Sequence, residues 1–581
     1  MKWQVKSKAP RAFFKQFPEF SPLIVQLFYN RGFKTQKQVD EFFNPDFEGD
    51  LHDPYLLKDM DLAVKRIVKA IDHQEKILIY GDFDADGVSA TTILYKTLES
   101  FGLTPEIYIP DREKENHGLN PKSIKVIAKD KINLLITVDC GSKDFEAIDL
   151  ANSLGIDVVI TDHHDTDQKL PQTVALINHK RKDDKYPFKD LAGAGVAYKL
   201  ALALLLIKGD PDNLKKWLLD ITALATVADM EPIIGENRTI VKYGLGVLAQ
   251  TKWIGLAKLM DVSRINPEIV NHSAKGEAPL TNLDASTLGF ALGPRINAAG
   301  RMEHANIAFE LLTTGNEQKA EKLAQLIDQK NKERQTLTDK VVREVEARIV
   351  SQDRIPELIF EGDKDWPVGL IGLIAGKMKD KFNRPAVIYN DQQKIIRASC
   401  RSIPQFDLMN MLNQCSRYFD DYGGRDGTGG FTMSRDKIEK VKDICFKLAK
   451  KELKKISLNS VLEIDAELSL EEISFKNHDQ VSLFEPFGKK NLKPKFLAKS
   501  LEIMEARLVG NGQKHLKMEL AMFDKYSGKG KNFKAIGFSL VDKVEEVKKG
   551  DLVDVVFEMI INQWNGYKEL EMKIVDLKLI K

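Results

Sequence analysis

The sequence predicts an α/β protein with two α/β lobes joined by a long helix and followed by a C-terminal all-β barrel. Three patterns lead to this fold class. Apolar runs of four or five residues alternate with helical patterns from residue 61 onward, and a second alternation of the same kind begins after Pro356. Short alternating runs separated by glycine, lysine and asparagine turns fill the chain from about residue 456. Alternating strands and helices are typical of a helix-covered parallel sheet, whereas regularly spaced short strands favour a barrel.

The length of 581 residues allows three or four domains at about 150 residues each. Changes in the pattern of predicted helices and strands place the boundaries. They give an N-terminal appendage packed on the domain after it (1–60), a first α/β domain (61–250), a linker region with the long helix (251–355), a second α/β domain (356–455) and the barrel (456–581).

Composition excludes several classes of protein. The 87 basic and 85 acidic residues nearly balance, so any surface for nucleic acid must be local. Four scattered cysteines without CxxC spacing argue against a structural zinc site and a disulfide framework. The N-terminus lacks an apolar signal core, and the apolar run from Leu200 is too short to cross a bilayer. We therefore expect a cytoplasmic protein without a membrane partner.

An acidic turn follows the first predicted strand, Ile77–Tyr80. Asp82, Asp84 and Asp86 occupy alternate positions after this strand, and Gly87 allows the chain to turn into a helix. Ligand crevices of open α/β sheets lie at such carboxyl ends. Three close carboxylates repel one another unless cations lie among them, and hard oxygen ligands suit Mg²⁺ or Mn²⁺. A solvated acidic loop is the alternative interpretation.

The next two predicted strands also end in polar side chains. LLITV is followed by Asp139, and DVVIT is followed by Asp162, His163 and His164. Solvated residues placed by chance would rarely align at three strand ends of one sheet. This convergence favours a metal site.

Two further residues could belong to this site. Asp229 interrupts an otherwise apolar helical pattern, and a buried carboxylate requires a partner, for which a metal is suitable. Arg112 follows the strand pattern EIYIP and is either a phosphate ligand or a surface arginine. Residues 316–355 contain no proline or glycine, so they form one long helix or a broken pair.

Eight motifs resemble a known family. YGDFDADG, VDCG, TDHH and ATVADM, in this order, are similar to the four motifs of the DHH phosphoesterase superfamily. GPRINAAGRM, WPVGLIGLIAGKM, SCRSIPQFDL and EPFGKKNLKP resemble the RecJ family of that superfamily. The resemblance implies a DHH domain, a DHH-associated domain that clamps substrate, and an oligonucleotide-binding barrel. It also implies a single-strand-specific 5′ to 3′ DNA exonuclease that uses two Mn²⁺ or Mg²⁺ ions and releases 5′ mononucleotides in recombination and repair.

The resemblance also assigns roles to residues. Two ions would be held by Asp82, Asp84, Asp86, Asp139, His163 and Asp229, with Asp139 as the bridge. His164 would lie beside the scissile phosphate, and Asp162 would either orient a ligand imidazole or cap its strand. The substrate would contact the terminal-phosphate residues Arg112, Ser399, Arg401 and Ser402, and the backbone-binding residues Arg295, Asn297 and Arg301.

The chain departs from the family at Arg425, where relatives carry a histidine after two glycines. An arginine can contact phosphate but cannot act as a neutral imidazole at pH 7, so rate or substrate preference could differ. The expected partner is single-stranded DNA, with a single-strand-binding protein and a helicase as further partners of a monomer. Two alternatives remain: a DHH phosphodiesterase for short oligonucleotides or dinucleotides, and a catalytically weakened single-strand-binding relative, which the presence of all six ligands disfavours.

Overall fold

The computed structural model describes residues 2–115, 117–271, 278–392, 394–425, 427–454, 456, 458–510, 512–523, 530–538, 540, 547–564 and 567–580. The chain divides into two compact units. The larger contains Leu51–Glu231 and Thr239–Asn459, and the smaller contains Met1–Asp50, Pro232–Arg238 and Ser460–Lys581. Each unit is described by itself.

A five-stranded parallel sheet forms the first half of the larger unit. Its strands are β1 (Ile77–Tyr80), β2 (Glu106–Tyr108), β3 (Leu134–Val138), β4 (Asp157–Thr161) and β5 (Ala175–Ile177), in the spatial order β2-β1-β3-β4-β5. Every residue of β1 and β3 is buried, as continuous apolar runs predict for a sheet covered on both faces. Tyr80 pairs with Thr137 and Val138 pairs with Thr161, so the carboxyl ends of β1, β3 and β4 lie at one edge.

Six helices of the larger unit position the site. They are α1 (Ala85–Ser100), α2 (Gly193–Lys208), α3 (Leu219–Ala228), α4 (Gly293–Met302), α5 (Glu317–Val350) and α6 (Val368–Phe382). The other α-helices that lie in this unit or run into it are Met60–Asp72, Pro121–Ile127, Phe145–Ser153, Leu214–Trp217, Gly235–Leu248, Ile254–Val262, Asn306–Thr313, Leu408–Cys415 and Ile438–Leu453. A π-helix covers Thr287–Leu292. Short 3₁₀ turns cover Pro54–Leu56, Ala128–Asp130, Pro211–Asn213, Ser416–Tyr418 and Arg435–Lys437. The short strand Ile269–Asn271 pairs with the short strand Leu280–Thr281.

The predicted long helix is one unbroken element. α5 contains 34 residues and begins at Asn316, whose side chain accepts a hydrogen bond from the Lys319 backbone N–H. A cap of this kind satisfies one of the free amides in the first turn.

A mixed five-stranded sheet forms the second half of the larger unit. Its strands are β6 (Ile359–Asp363), β7 (Ala386–Asn390), β8 (Ile395–Arg401), β9 (Asp421–Arg425) and β10 (Thr428–Ser434), in the order β9-β10-β8-β7-β6. Only the β6–β7 pair is parallel. Helices α5 and α6 share one core with this sheet that includes Val345, Leu370 and Ile388.

The smaller unit contains the predicted barrel. Strands β11 (Phe496–Val509), β12 (His515–Phe523), β13 (Gly530–Gly537), β14 (Leu552–Trp564) and β15 (Tyr567–Leu579) run in the order β11-β12-β13-β15-β14, and pairing of β11 with β14 closes the barrel. Five closed strands fit an oligonucleotide-binding fold. The remaining strands are Lys2–Val5, which pairs with Val461–Ile464, and Ala466–Glu467, which pairs with β11.

The N-terminal segment packs on the barrel unit, whereas the sequence predicted packing on the first α/β domain. Helices Arg11–Phe14, Pro22–Arg31, Gln36–Phe43 and Phe47–Asp50 belong to the smaller unit together with helix Phe475–Ser482. Phe17 and Phe28 share one core with Phe484 and Phe496. Contacts across more than 450 residues leave no local signal in the sequence.

Candidate active site

The acidic turn after β1 is held by backbone hydrogen bonds. Asp84 caps α1, because its Oδ1 accepts hydrogen bonds from the N–H groups of Asp86 (2.9 Å) and Gly87 (3.1 Å). Asn297 of α4 accepts a bond from the Ala85 N–H at 3.0 Å through its side-chain oxygen. A Cβ on Gly87 would lie 2.5 Å from the Asp82 carbonyl oxygen, so only glycine fits this turn.

Asp139 and Asp86 meet at the N-terminus of α2. Asp139 adopts a left-handed backbone conformation with φ of 62° directly after β3. The Asp86 carboxylate accepts hydrogen bonds from the N–H groups of Gly193 (2.7 Å) and Ala194 (2.8 Å). A Cβ on Gly193 would lie 2.4 Å from Asp139 Oδ1. Small residues at the start of a helix usually indicate close helix packing, but here Gly193 provides the space that Asp139 occupies.

His163 lies at the centre of the carboxylates. Its Nε2 is 3.2 Å from Asp139 Oδ1, 3.7 Å from Asp86 Oδ2 and 3.8 Å from Asp229 Oδ2. Its Nδ1 lies 3.2 Å from the Leu191 carbonyl oxygen and 3.5 Å from Glu231 Oε1. These contacts on Nδ1 fix the ring so that Nε2 faces the three aspartates.

His164 is oriented by Asp162. The Asp162 carboxylate accepts hydrogen bonds from the N–H groups of Ser142 (3.0 Å), His163 (2.7 Å) and His164 (3.1 Å), and it lies 2.8 Å from His164 Nδ1. The Asn178 amide, which the sequence did not single out, donates to the His164 carbonyl oxygen at 2.8 Å. Asp162 is therefore both a backbone anchor and a partner of an imidazole.

The predicted ligands form two adjoining groups suitable for cations. Asp86, His163 and Asp229 form one group, and Asp82, Asp84 and Asp139 form the other, with the ligand atoms of each group within 4.8 Å of one another. Asp139 lies between the groups, because its Oδ1 is also the atom closest to His163. All six side chains proposed from the sequence thus converge.

The electrostatics of the site fit bound cations. Burial and the neighbouring carboxylates raise the pKa values of Asp86 and Asp139 well above the ordinary value. Burial also raises the pKa of Asp229 to about 6, although His163 opposes the shift. Within the described ranges, Asp139 Oδ1 and Asp229 Oδ2 are buried and accept no hydrogen bond. Carboxylate oxygens together with an imidazole suit Mn²⁺ or Mg²⁺, so this donor set fits such ions.

His117 is an additional imidazole at this edge of the sheet. Its Nδ1 lies 3.2 Å from Asp82 Oδ1, and its ring centroid is 4.9 Å from that of His164. The Tyr80 hydroxyl donates to the Gly118 carbonyl oxygen at 3.0 Å and holds the loop in place. His117, Asp162, His164, Gly424 and Arg425 are among the residues that line a cleft of about 310 Å³. In the sequence, the only indication that His117 belongs to the site was its position in the loop after a predicted strand.

Arginines surround a second part of the site. Arg401 Nη1 donates to Ser399 Oγ at 3.1 Å, and Arg301 Nη1 donates to the Gly369 carbonyl oxygen at 2.9 Å. The Arg112 guanidinium lies over the Phe83 ring at 4.6 Å from its centroid. Burial, with the charges of Arg112 and Arg401 contributing, lowers the pKa of Arg301 to about 9. Arg112, Arg301 and Arg401 are therefore close enough to repel one another.

Three residues expected to contact substrate are engaged elsewhere. Arg295 forms an ion pair with Asp328, with Nε at 3.0 Å and Nη2 at 2.9 Å from Oδ1. The oxygen of the Asn297 amide supports the acidic turn, and the buried Ser402 hydroxyl donates to the Phe406 carbonyl oxygen at 2.8 Å. These contacts give all three side chains a structural role.

Models of protein families match three segments of the chain. The DHH family N-terminal domain matches residues 76–226, the DHHA1 domain matches 354–454 and the RecJ OB domain matches 464–576. No helix within the described parts of the chain is both long enough and apolar enough to span a membrane.

Known relatives match along almost the whole chain. The single-stranded-DNA-specific exonuclease RecJ of Bacillus subtilis is 35% identical over 96% of this chain and 68% of its own length. The protein of the same name from Thermus thermophilus is 27% identical over 100% of this chain and 79% of its own length. The crystal structure of RecJ in complex with Mn²⁺ from Thermus thermophilus superposes with a TM-score of 0.82 at 25% identity, covering 100% of this chain and 80% of that one. The chain therefore belongs to the RecJ family of single-stranded-DNA-specific exonucleases.

Proposed function

We propose that this protein is a metal-dependent exonuclease that hydrolyses single-stranded DNA from the 5′ end and releases 5′ mononucleotides. The observation that carries the proposal is the convergence of Asp139, His163 and Asp229 from three separate elements with carboxylate oxygens that accept no hydrogen bond among the described residues. Membership of the family supports the substrate, because the relatives are named as single-stranded-DNA-specific exonucleases.

Two Mn²⁺ or Mg²⁺ ions would be held by the two groups described above, with Asp139 between them, because Asp139 also forms a group with His163 and His164. When bound, such ions polarise the scissile phosphate and make water a better nucleophile at neutral pH. The backbone amides of Gly193 and Ala194 hold Asp86 in place for this role. The charge repulsion seen among the carboxylates is then offset by the cations.

His164 would contact the scissile phosphate. Asp162 fixes the ring through Nδ1, and the side chain lines the cleft. Arg425 lines the same cleft as His164 and Asp162, and its charge partly opposes the rise in the pKa of Asp229, so it would contact the strand there.

The terminal phosphate of the strand would bind to Ser399, Arg401, Arg301 and Arg112. A guanidinium and a hydroxyl held together at 3.1 Å match phosphate oxygens. A strand stopped at this point could not advance further past the acidic groups, which explains release of one nucleotide at a time. The barrel would bind the rest of the strand.

The proposal extends to the setting of the enzyme. We place it in the cytoplasm, as a monomer acting in recombination and repair with a single-strand-binding protein and a helicase. The substrate named for the relatives, single-stranded DNA, supports the part of this proposal that concerns DNA recombination and repair. A phosphodiesterase for short oligonucleotides or dinucleotides would use the same acidic groups, but the closed five-stranded barrel favours long strands.

One experiment tests the main points. The protein is incubated with Mn²⁺ and with 5′-labelled and 3′-labelled single strands, a duplex and a dinucleotide, alongside the Asp139→Asn variant. We expect mononucleotides released from the 5′ end of single strands only, and none from the variant. Preference for the dinucleotide would support the short-oligonucleotide phosphodiesterase, and release from the 3′ end would contradict the proposed polarity.

A further inference from the structure

An aromatic side chain is exposed on the π-helix that precedes α4. Leu288 and Leu292 of this helix are buried, whereas Phe290 between them is 84% exposed. A phenyl ring left in water forgoes the free energy that its burial would provide. Single exposed apolar residues are common on proteins, so the surroundings of Phe290 decide what it does.

The π-helix packs against the end of α3, directly before Asp229. A Cβ on Gly289 would lie 3.2 Å from Val227 Cγ1. A Cβ on Gly293 would lie 3.0 Å from the Cβ of Ala228. The backbone that carries the exposed ring is therefore held against the residues that bring the Asp229 carboxylate into the site.

The same helix also contacts the acidic turn. The π-helix continues directly into α4, where the Asn297 side chain accepts a hydrogen bond from the Ala85 N–H at 3.0 Å. The spacing from Phe290 to Asn297 corresponds to about 10 Å along a helix at 1.5 Å per residue. Phe290 thus lies on a support that is fixed to the acidic groups at two points. π-helical turns are rare and occur frequently at functional sites.

Met230 is a second exposed apolar residue beside Asp229. It directly follows Asp229 in the chain and is 69% exposed. Its backbone is left-handed, with φ of 58°, which is uncommon for a residue other than glycine. A thioether, like a phenyl ring, makes favourable contacts with aromatic rings. Exposed apolar surface therefore begins at the residue next to a predicted metal ligand.

A nucleobase of a single strand is the occupant that fits this surface. A strand with one phosphate at the acidic groups brings its neighbouring bases close to them, and every base has an apolar face that can stack on an aromatic ring. Such stacking tolerates any base, in agreement with relatives that are named for single strands and not for a base sequence. In a duplex the bases already stack on one another and leave no face free.

We propose that Phe290 is a stacking platform for a base of the single strand next to the scissile phosphodiester, and that it contributes in this way to the selection of single strands over duplex. This inference rests on the proposed function, because it assumes that the phosphodiester at the acidic groups belongs to DNA.

The test measures binding of strands that lack one base. Full-length protein is titrated in Ca²⁺, which takes the same oxygen ligands, with fluorescent single strands that each carry one abasic residue near the 5′ end. The Kd is read from anisotropy, and electrophoresis confirms that the strands are uncut. We expect wild-type affinity to fall about tenfold when the base at one particular position is missing, in line with the loss of one stacked base.

Phe290→Ala should bind the intact strand about tenfold more weakly than the wild-type protein, and removal of that base should weaken it no further. Phe290→Trp should keep wild-type affinity, because an indole ring also stacks on bases. Affinity for a blunt duplex should be the same in all three proteins. Leu206→Ala is the matched control, because Leu206 is 69% exposed near the C-terminal end of α2 and should bind every strand normally.

Two results would contradict the stacking contact. Phe290→Ala would bind the intact strand as the wild-type protein does, or it would still lose affinity at the same abasic position. An equal loss for all strands and for the duplex, with a lowered thermal midpoint, would show that Phe290 supports the fold and would also overturn the inference. A wild-type protein that shows the abasic effect through Phe290 but releases no nucleotide with Mn²⁺ would overturn the proposed nuclease and leave the stacking contact standing.

Discussion

The two sides of the site differ in the sign of their charge and in how the chain builds them. The acidic side comes from the carboxyl ends of β1, β3 and β4 and the end of α3, and several of its carboxylates have strongly raised pKa values. The arginine side comes from α4, β8 and the loop after β2, far apart in the sequence. On both sides the described structure leaves charge uncompensated. On the proposed function, cations would occupy the acidic side and phosphate the arginine side.

The largest effect should follow from removing the shared carboxylate. We expect Asp139→Asn to lower kcat with Mn²⁺ by about 10³-fold or more, because Asp139 belongs both to the group with Asp82 and Asp84 and to a group with His163 and His164. Calorimetry should also show weaker Mn²⁺ binding. The control is Asp149→Asn, since Asp149 is exposed on a helix of the same domain. Wild-type activity in Asp139→Asn would disprove a catalytic acidic side.

A smaller loss should result from displacing Asp139 without changing its charge. In Gly193→Ala the new Cβ would lie 2.4 Å from Asp139 Oδ1, so the carboxylate must move. We expect kcat to fall about 10²-fold, as small displacements of catalytic groups commonly cause. Gly376→Ala in α6 is the control, because no atom lies within 4 Å of its added Cβ. Equal activity of the two variants would contradict the tight fit at Gly193.

On the arginine side, Arg401→Gln should change substrate choice rather than metal binding. We expect the Kd for a 5′-phosphorylated strand to rise about tenfold, because a guanidinium held by Ser399 is lost, while Mn²⁺ affinity stays the same. Arg435→Gln serves for comparison, since Arg435 pairs with Asp391 and takes no part in the site. A loss of Mn²⁺ affinity in Arg401→Gln would show that the two sides do not act separately.

Arg425 should have a weaker influence, because it is partly exposed in the cleft. We expect Arg425→Gln to raise KM about two- to fivefold and to reduce the dependence of log KM on log salt by about one unit. Steady-state kinetics at several salt concentrations measure both quantities. An unchanged salt dependence would mean that Arg425 contacts no phosphate.

The smallest effect on cleavage should come from Arg295. Arg295→Gln leaves Asp328 with only Lys332, so we expect the thermal midpoint to fall by about 2–4 °C while kcat/KM stays within about twofold. Differential scanning fluorimetry and cleavage assays on the same samples separate the two properties. A large loss of kcat/KM at an unchanged midpoint would support the sequence-based expectation that Arg295 contacts DNA.

The sequence predicted the acidic side better than the arginine side, for physical reasons. Asp82, Asp139 and His163 each follow a buried strand, and parallel strands bring such positions to one edge whatever the rest of the chain does. The roles of Gly193 and Asn297 depend on how α2 and α4 pack on the acidic turn, which no local pattern records. Arg295 and Arg401 look alike in the sequence, and only the packing shows that Arg295 has a carboxylate partner whereas Arg401 donates to a hydroxyl.

The fold class, the barrel and the single long helix were also predictable, because each depends on periodicity or on the absence of helix-breaking residues. The packing of the N-terminal helices on the barrel was not. Their aromatic side chains could pack on any apolar surface. The surface that they pack on is formed by residues near the other end of the chain, so no local pattern identifies it.

α5 runs without interruption for 34 residues, or about 51 Å at 1.5 Å per residue. In its first half, α5 is joined to α4 by the ion pair between Arg295 and Asp328, and near its C-terminal end it is joined to β6 by the ion pair between Arg348 and Asp363. A continuous helix that is held by ion pairs to both halves of the larger unit keeps these halves at a constant separation. On the proposed function, this constant separation would fix the distance between the terminal-phosphate residues and the acidic groups. The length of the released fragment should therefore not vary with the base sequence of the strand.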